Sequence, residues 1–238
     1  MKKIHYALLV IFSLCSLQSF AQTADEIISK HIENTGGKEK LSSITSVTLD
    51  FTVDIMGVVA PSTAVVLVGK GLKSEMDFGG QKVITVVTDK NGWTINPLAG
   101  ITEPQPLGQQ EYLESKDQLE FTPFIDYQLK ESKLELVGKE KMGNEDVYKI
   151  NFTNKDNLTT VCYFDATTFY LVKTMRKMHV NGQETEVVTT YSDFRKTDNG
   201  LIGSFSSKID YGQFQLTTTV NKIEFNKPVD LSVFEMKK

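Results

Sequence analysis

Residues 46–55 read Ser46-Val47-Thr48-Leu49-Asp50-Phe51-Thr52-Val53-Asp54-Ile55 and alternate between apolar and polar side chains. Successive side chains of a β-strand point to opposite faces, so this stretch predicts a strand with one apolar and one polar face. We expect the face that carries Leu49, Phe51, Val53 and Ile55 to point to the concave side of the sheet, and Asp50 and Asp54 to point away from it.

The same period of two recurs along most of the chain. We predict strands at 63–68, 73–78, 82–88, 92–96, 134–142, 147–153, 159–165, 170–180, 184–194, 203–211 and 214–225. Turn signals such as Asp89-Lys90-Asn91-Gly92 and Asp198-Asn199-Gly200 separate them, and these connections are too short for parallel crossovers. The prediction is therefore a mainly β (α+β) protein built on a large curved antiparallel sheet of about eleven strands.

Two helical segments accompany the strands. Thr23-Ala24-Asp25-Glu26 is a capping-box pattern and predicts an N-terminal helix that ends at Gly36-Gly37. The segment from Pro97 to Pro123 begins with a Pro/Gly-rich connection and continues into a predicted helix over 109–121, which we interpret as an inserted, movable lid. Two helices cannot cover one face of so wide a sheet, so either the sheet curls onto itself or it keeps an apolar hollow.

The first 21 residues predict a cleavable secretory signal peptide. Lys2 and Lys3 precede an apolar run from Tyr6 to Leu14 that is too short to span a bilayer, and Ser19-Phe20-Ala21 fits a cleavage site before Gln22. Cys15 raises a lipoprotein signal as an alternative, which the bulky Leu14 before it disfavours. We therefore expect an exported protein with one domain over 22–238.

Composition excludes several classes of function. The predicted mature chain has 24 Lys+Arg against 30 Asp+Glu, a net charge of −6, which gives no support for nucleic-acid binding. No Gly-x-Ser-x-Gly, phosphate-binding Gly-rich loop or Cys-x-x-Cys motif is present. His31 and His179 have no nearby residues in the sequence that would complete a metal site or a catalytic triad. Cys162 lies in an alternating run and fits a small buried apolar side chain. We expect no enzymatic activity, no cofactor and no metal site.

An apolar hollow beside a hinged segment predicts a binding site for an apolar ligand. The candidate lining residues are apolar or aromatic side chains of the sheet face and of the lid: Phe51, Val53, Trp93, Tyr112, Leu113 and Phe124. For each of them, ordinary core packing is an equally open interpretation.

Several short stretches resemble periplasmic LolA/LolB-like proteins that sort outer-membrane lipoproteins. They are Gly36-Gly37-Lys38-Glu39-Lys40-Leu41, Tyr163-Phe164-Asp165, Tyr191-Ser192-Asp193-Phe194 and Ile223-Glu224-Phe225-Asn226-Lys227-Pro228. The sequence departs from the pattern at Ser204, where a proline is common, and after Phe234, where a proline is also common.

The resemblance implies an unclosed β-barrel whose helices form a lid over an apolar cavity. It implies a single LolA-like lipid-carrier domain over 22–238, acting in the periplasm as a monomer that shields acyl chains of lipoproteins or other lipids for transfer to the outer membrane. A membrane transporter and an outer-membrane acceptor are the implied partners. Two alternatives stay open: a sensor or adaptor domain of the same fold that binds a protein or lipid partner in an envelope-signalling pathway, and a hydrolase with an unrecognised site.

Overall fold

The structure is a computed structural model that describes residues 22–180 and 183–236. The predicted signal peptide, with Cys15, lies outside the described residues. Within these residues there are three α-helices: α1 (Ala24–Asn34), α2 (Lys38–Ser42) and α3 (Gln109–Lys116). Short 3-10 helices cover Pro97–Ala99, Asp117–Leu119 and Leu231–Phe234.

Thirteen strands make up one antiparallel sheet in the described part of the chain. They are β1 (Ser46–Ile55), β2 (Val58–Leu67), β3 (Gly71–Phe78), β4 (Gln81–Thr88), β5 (Gly92–Asn96), β6 (Ile101–Pro106), β7 (Lys133–Met142), β8 (Glu145–Thr153), β9 (Thr159–Asp165), β10 (Leu171–Val180), β11 (Gln183–Lys196), β12 (Ile202–Asp210) and β13 (Gln215–Phe225).

The strand order is β6-β5-β4-β3-β2-β1-β13-β12-β11-β10-β9-β8-β7. Each half of the sheet is a meander of consecutive strands, and the pairing of β1 with β13 joins the two meanders. Strands β6 and β7 remain as unpaired edges, so the sheet does not close. This confirms the prediction of a mainly β, unclosed antiparallel sheet with an N-terminal helix and an inserted helix.

The sheet has thirteen strands rather than about eleven, and β6 is a strand that the sequence prediction missed. Pro104 and Pro106 made this segment look like a connection. Proline lacks the N–H that a central strand donates, but it is tolerated on an edge strand, where one side of the backbone has no neighbour. β6 is such an edge, paired only with β5.

The two faces of the first meander pack against different elements. We call the face that carries Val47, Leu49 and Val66 the inner face; its residues cluster with Ile44 before β1 and Leu119 after α3. The opposite, outer face carries Val86 and Trp93, which pack against Phe234 of the last 3-10 helix. Asp50 is exposed, as the alternation in residues 46–55 predicted.

Helix α1 packs on the inner face of the second meander. Its capping box forms as predicted: Glu26 N donates to Thr23 Oγ1 over 3.2 Å, and Thr23 N donates to Glu26 Oε2 over 3.1 Å. Ile27 and Ile28 are buried against Ile150 and Phe164. The helix therefore covers one part of the inner face and leaves the rest to other elements.

The inner-face position of Val47 makes a testable prediction about stability. Val47 is 0% exposed, whereas Val59 on β2 is 58% exposed. We expect Val47→Ala to lower the free energy of unfolding by about 2 kcal/mol, from two lost methylene equivalents plus a cavity term. Val59→Ala should change it by less than about 0.5 kcal/mol. Urea unfolding followed by the fluorescence of Trp93 measures both, and equal losses would contradict the assignment of the inner face.

Candidate functional site

The chain crosses from one edge of the sheet to the other through residues 107–132, which we call the lid segment. It leaves β6 at one edge and enters β7 at the opposite edge. Its start is held close to the sheet, because Leu107 N donates to Gly92 O over 2.9 Å. A Cβ at position 92 would lie only 2.6 Å from the Leu107 side chain, so glycine permits this approach.

Helix α3 of the lid segment is attached to β10 through Glu114, which is only 3% exposed. Its carboxylate accepts hydrogen bonds from His179 N (2.8 Å) and Gln110 Nε2 (2.9 Å), and His179 Nδ1 lies 2.8 Å from Oε1. Arg176 Nη2 donates to the Glu114 carbonyl over 2.6 Å. These contacts join the lid to the second meander.

The hydrogen bonds to Glu114 also decide its ionisation. Burial alone would raise the pKa of this carboxyl, but the hydrogen bonds from Gln110 and His179 outweigh burial and hold the pKa below its usual value. Glu114 is therefore a carboxylate at neutral pH. The spacing of Gln110 and Glu114 fits a helix, but nothing in the sequence indicated that His179 would meet them.

Asp117, which follows α3, forms a second polar contact with the second meander, through Asn154 after β8 and Arg176 on β10. Its Oδ1 accepts from Asn154 Nδ2 over 2.6 Å, and its Oδ2 lies 3.8 Å from Arg176 Nη1. Burial raises the pKa of Asp117, and the contacts with Asn154 and Arg176 oppose that effect only in part.

Two adjoining cavities lie between the inner face and the helical elements. The helix cavity, of about 510 Å³, lies between α1 and strands β1 and β10–β13. The lid cavity, of about 880 Å³, lies between the lid segment and strands β8–β12. Both volumes fall within the range of about 300–1,000 Å³ that is usual for ligand sites. Five residues line both cavities: Pro123, Phe124, Leu171, Tyr191 and Ser207.

The helix cavity is uncharged at neutral pH. Among the described residues that line it there is no Asp, Glu, Lys or Arg; apolar members include Ile32, Leu49, Phe194 and Val220. His31 is the one titratable imidazole of the lining. Burial lowers its pKa, against a smaller opposing effect of the contact between Nδ1 and Phe169 O (2.9 Å), so the ring is neutral.

The lid cavity combines an apolar wall with a charged margin. Cys162, Met178, Val187 and Ile209 form part of its apolar wall on the sheet. Charged side chains come mainly from the lid segment and the β8–β9 turn: Lys116, Asp117, Glu120, Lys130, Glu131, Lys155 and Asp156.

Of the six predicted lining residues, Phe124 is the one that lines the cavities, and it lines both. Phe51 and Val53 lie on the inner face of β1, paired with Val220 and Thr218, which line the helix cavity. Neither Phe51 nor Val53 is itself part of the lining. Their role as acyl-chain contacts stays a prediction.

The other three predicted residues pack elsewhere. Trp93 lies on the outer face, where it is 6% exposed and its Nε1 donates to Phe234 O over 3.2 Å. Tyr112 packs against the inner-face cluster of the first meander and donates from its hydroxyl to Thr88 O over 3.1 Å. Leu113, also in α3, is half-buried. These placements favour core packing for Trp93 and Tyr112.

Sequence reasoning missed most of the lining, which comes from β10–β13. Leu171, Tyr191, Phe194, Phe205 and Val220 belong to it. All of these residues lie in predicted strands, so the sequence showed that they belong to the sheet. It did not show that α1 and the lid segment would lie over those strands.

No group of three or more His, Cys, Asp or Glu side chains within 22–180 and 183–236 could hold a metal ion. Burial raises the pKa of the Cys162 thiol to about 12, so it is not a thiolate nucleophile. In the same residues, no helix is long and apolar enough to cross a membrane.

Comparison with known proteins finds similarity in structure alone. No protein-family model matches the sequence, and no curated protein matches it. A LolA superfamily protein from Nitrosomonas europaea superposes with a TM-score of 0.59 at 12% identity, covering 92% of this chain and 99% of that one.

Two further solved structures are similar. A putative outer membrane lipoprotein-sorting protein domain from Vibrio parahaemolyticus has a TM-score of 0.57 at 10% identity, covering 89% of this chain and 95% of that one. A DUF1329 family protein from Desulfovibrio piger has a TM-score of 0.59 at 11% identity, with 90% and 98% covered. With its open antiparallel sheet and helical lid, the chain therefore has a LolA-like fold.

Proposed function

We propose that this protein is a periplasmic carrier that shields acyl chains of lipoproteins or other lipids in an apolar interior for transfer to the outer membrane. The observation that carries the proposal is the pair of adjoining cavities between the inner face and the elements that cover it. The LolA-like fold supports it, since the Vibrio structure is described as a lipoprotein-sorting domain.

A carrier of this kind works by shielding. Each buried methylene group gains about 0.8 kcal/mol relative to water, whether it lies in a bilayer or in a protein cavity. Transfer between the two is then nearly neutral, while release into water is strongly opposed. The protein needs an apolar interior and an element that opens, and it needs no reactive group.

The first part of the lid segment, α3 with Asp117, is the candidate for the moving element. Its hydrogen bonds to the second meander run through Glu114 and Asp117, and polar contacts exchange more readily with water than a buried apolar interface does. Phe124, farther along the segment, packs in the apolar cluster under α1. Partners in the proposed pathway are a membrane transporter that delivers the lipid and an outer-membrane acceptor that receives it. We propose that the carrier acts as a monomer.

Binding of a fluorescent fatty acid to the purified protein tests the proposal directly. Leu171 lines both cavities, so Leu171→Glu would place a charge in the apolar interior and should weaken binding at least about tenfold. Leu98→Glu is the matched control, because Leu98 is 52% exposed in the connection between β5 and β6. Circular dichroism must show that both variants are folded.

Absence of binding to the unaltered protein would contradict the carrier proposal. In that case the sensor or adaptor interpretation, in which the same fold binds a protein partner, would gain support.

The attachment of α3 through Glu114 gives a second prediction. Glu114→Gln removes a carboxylate that accepts three hydrogen bonds, each worth about 1.5–3 kcal/mol when the acceptor is charged. We expect backbone hydrogen exchange in residues 109–116 to become at least about tenfold faster, as expected when local opening costs less. Glu111→Gln, an exposed position of the same helix, should leave the exchange unchanged.

The sign of the pH dependence follows from the lowered pKa of Glu114. A carboxyl whose pKa is lowered in the folded state stabilises that state above its ordinary pKa, and the stabilisation is lost as the pH falls through the folded value. The protection factor of the α3 amides, which corrects the exchange rate for its intrinsic pH dependence, should therefore fall only under acidic conditions. A fall in the protection factor on going from neutral to alkaline pH would contradict this account.

Removal of the predicted signal peptide would release the exported chain from the membrane, and this too can be tested. We propose cleavage between Ala21 and Gln22 without lipidation. Ala21→Leu should cause the precursor to accumulate, because a bulky residue replaces the small one before the cleavage site. Cys15→Ala should be processed normally. N-terminal sequencing and intact mass measure both, and an acylated Cys15 would overturn the proposal.

A further inference from the structure

The two cavities meet at a partition made of packed side chains. Phe124 is 8% exposed, and its ring makes edge contacts with His31, Phe152 and Phe164 at centroid distances of 5.3–5.6 Å. Leu171 packs against the same cluster as Phe124, and both Leu171 and Tyr191 border the two cavities from the sheet side. Because Phe124 belongs to the core cluster under α1, the partition is a fixed part of the interior rather than a mobile side chain.

The cavities on the two sides differ in where a polar head group could lie. The helix cavity has no charged side chain among the described residues of its lining. The lid cavity has a charged margin, where Lys130 Nζ lies 3.2 Å from Glu120 Oε1 and donates to Thr122 O over 2.9 Å. Glu120 and Thr122 belong to the short run that leads into the partition at Pro123 and Phe124.

From this arrangement we infer that the ligand is an amphiphile with two hydrocarbon chains, which diverge at the partition and occupy one cavity each. A single-chain amphiphile bound in the helix cavity would find no charged side chain beside its polar head group. The helix cavity therefore suits a hydrocarbon chain whose head group lies outside it, at the charged margin of the lid cavity. Two chains that branch from one head satisfy both conditions. This inference rests on the proposed function and adds the class of ligand to it.

Two matched substitutions can fill one cavity each. Thr189 on β11 lines the lid cavity alone, and Thr218 on β13 lines the helix cavity alone. Thr217 is exposed on the opposite face of β13 and provides the control. The variants are therefore Thr189→Phe, Thr218→Phe and Thr217→Phe, the same change at three places.

The probes are dipalmitoylphosphatidylcholine, with two chains, and palmitoyl lysophosphatidylcholine, with the same head and one chain. Native mass spectrometry measures how much of each is bound to the purified protein. We expect Thr218→Phe to weaken binding of the two-chain lipid at least about tenfold, a loss that corresponds to about two buried methylene groups. Binding of the one-chain lipid should not change. Thr189→Phe should weaken binding of both lipids, and Thr217→Phe should change the binding of neither.

The outcomes separate this inference from the proposed function. If Thr218→Phe binds the two-chain lipid as well as the unaltered protein does, the two-chain inference is overturned while the carrier proposal stands. If the unaltered protein binds neither lipid, the carrier proposal itself fails. Should a filled variant not fold, the unaltered protein still decides, because equal affinity for the two lipids would overturn the inference.

Discussion

The pairing of β1 with β13 is the interaction on which the rest of this structure depends. It joins the first and last strands of the chain, which lie side by side in the middle of the sheet, with Val47 opposite Phe225 and Ile55 opposite Leu216. Each half of the chain can then form a simple meander of hairpins. The consequence is that the two free edges, β6 and β7, belong to strands that are consecutive in sequence, so the connection between them must cross the open side of the sheet. The lid segment is that connection, and its position over the cavities follows from topology.

The inner face of so large a sheet has more apolar surface than three short helices can cover. Helix α1 buries Ile27 and Ile28 against the second meander, and Leu119 of the lid segment packs against the first. Between these two contacts the side chains of β10–β13 face space rather than one another, which produces the two cavities. Phe124 stands at the point where both covering elements meet the sheet, and this explains why it lines both cavities.

Helix α3 and the adjoining Asp117 are held to the second meander by contacts of a different kind. Glu114 and Asp117 turn polar groups toward the sheet, where His179, Arg176 and Asn154 meet them. A fully apolar interface would hold the lid shut at a high cost of opening, whereas hydrogen bonds can be exchanged for hydrogen bonds to water. Carriage of an apolar ligand needs both properties in one molecule: an interior that excludes water and a cover that releases.

The sequence by itself determined the strands, their faces and the absence of parallel crossovers, because alternation and turn residues act over a few positions. It also predicted α1 with its Thr23 cap and the helical insertion. It missed β6, because proline excludes a central strand but not an edge strand. Only the tertiary structure placed Trp93 on the outer face, brought Glu114 to His179 and selected β10–β13 as the cavity wall. Those facts depend on which strands become neighbours, and the pairing of β1 with β13 links residues that are far apart in the chain, where local patterns carry no information.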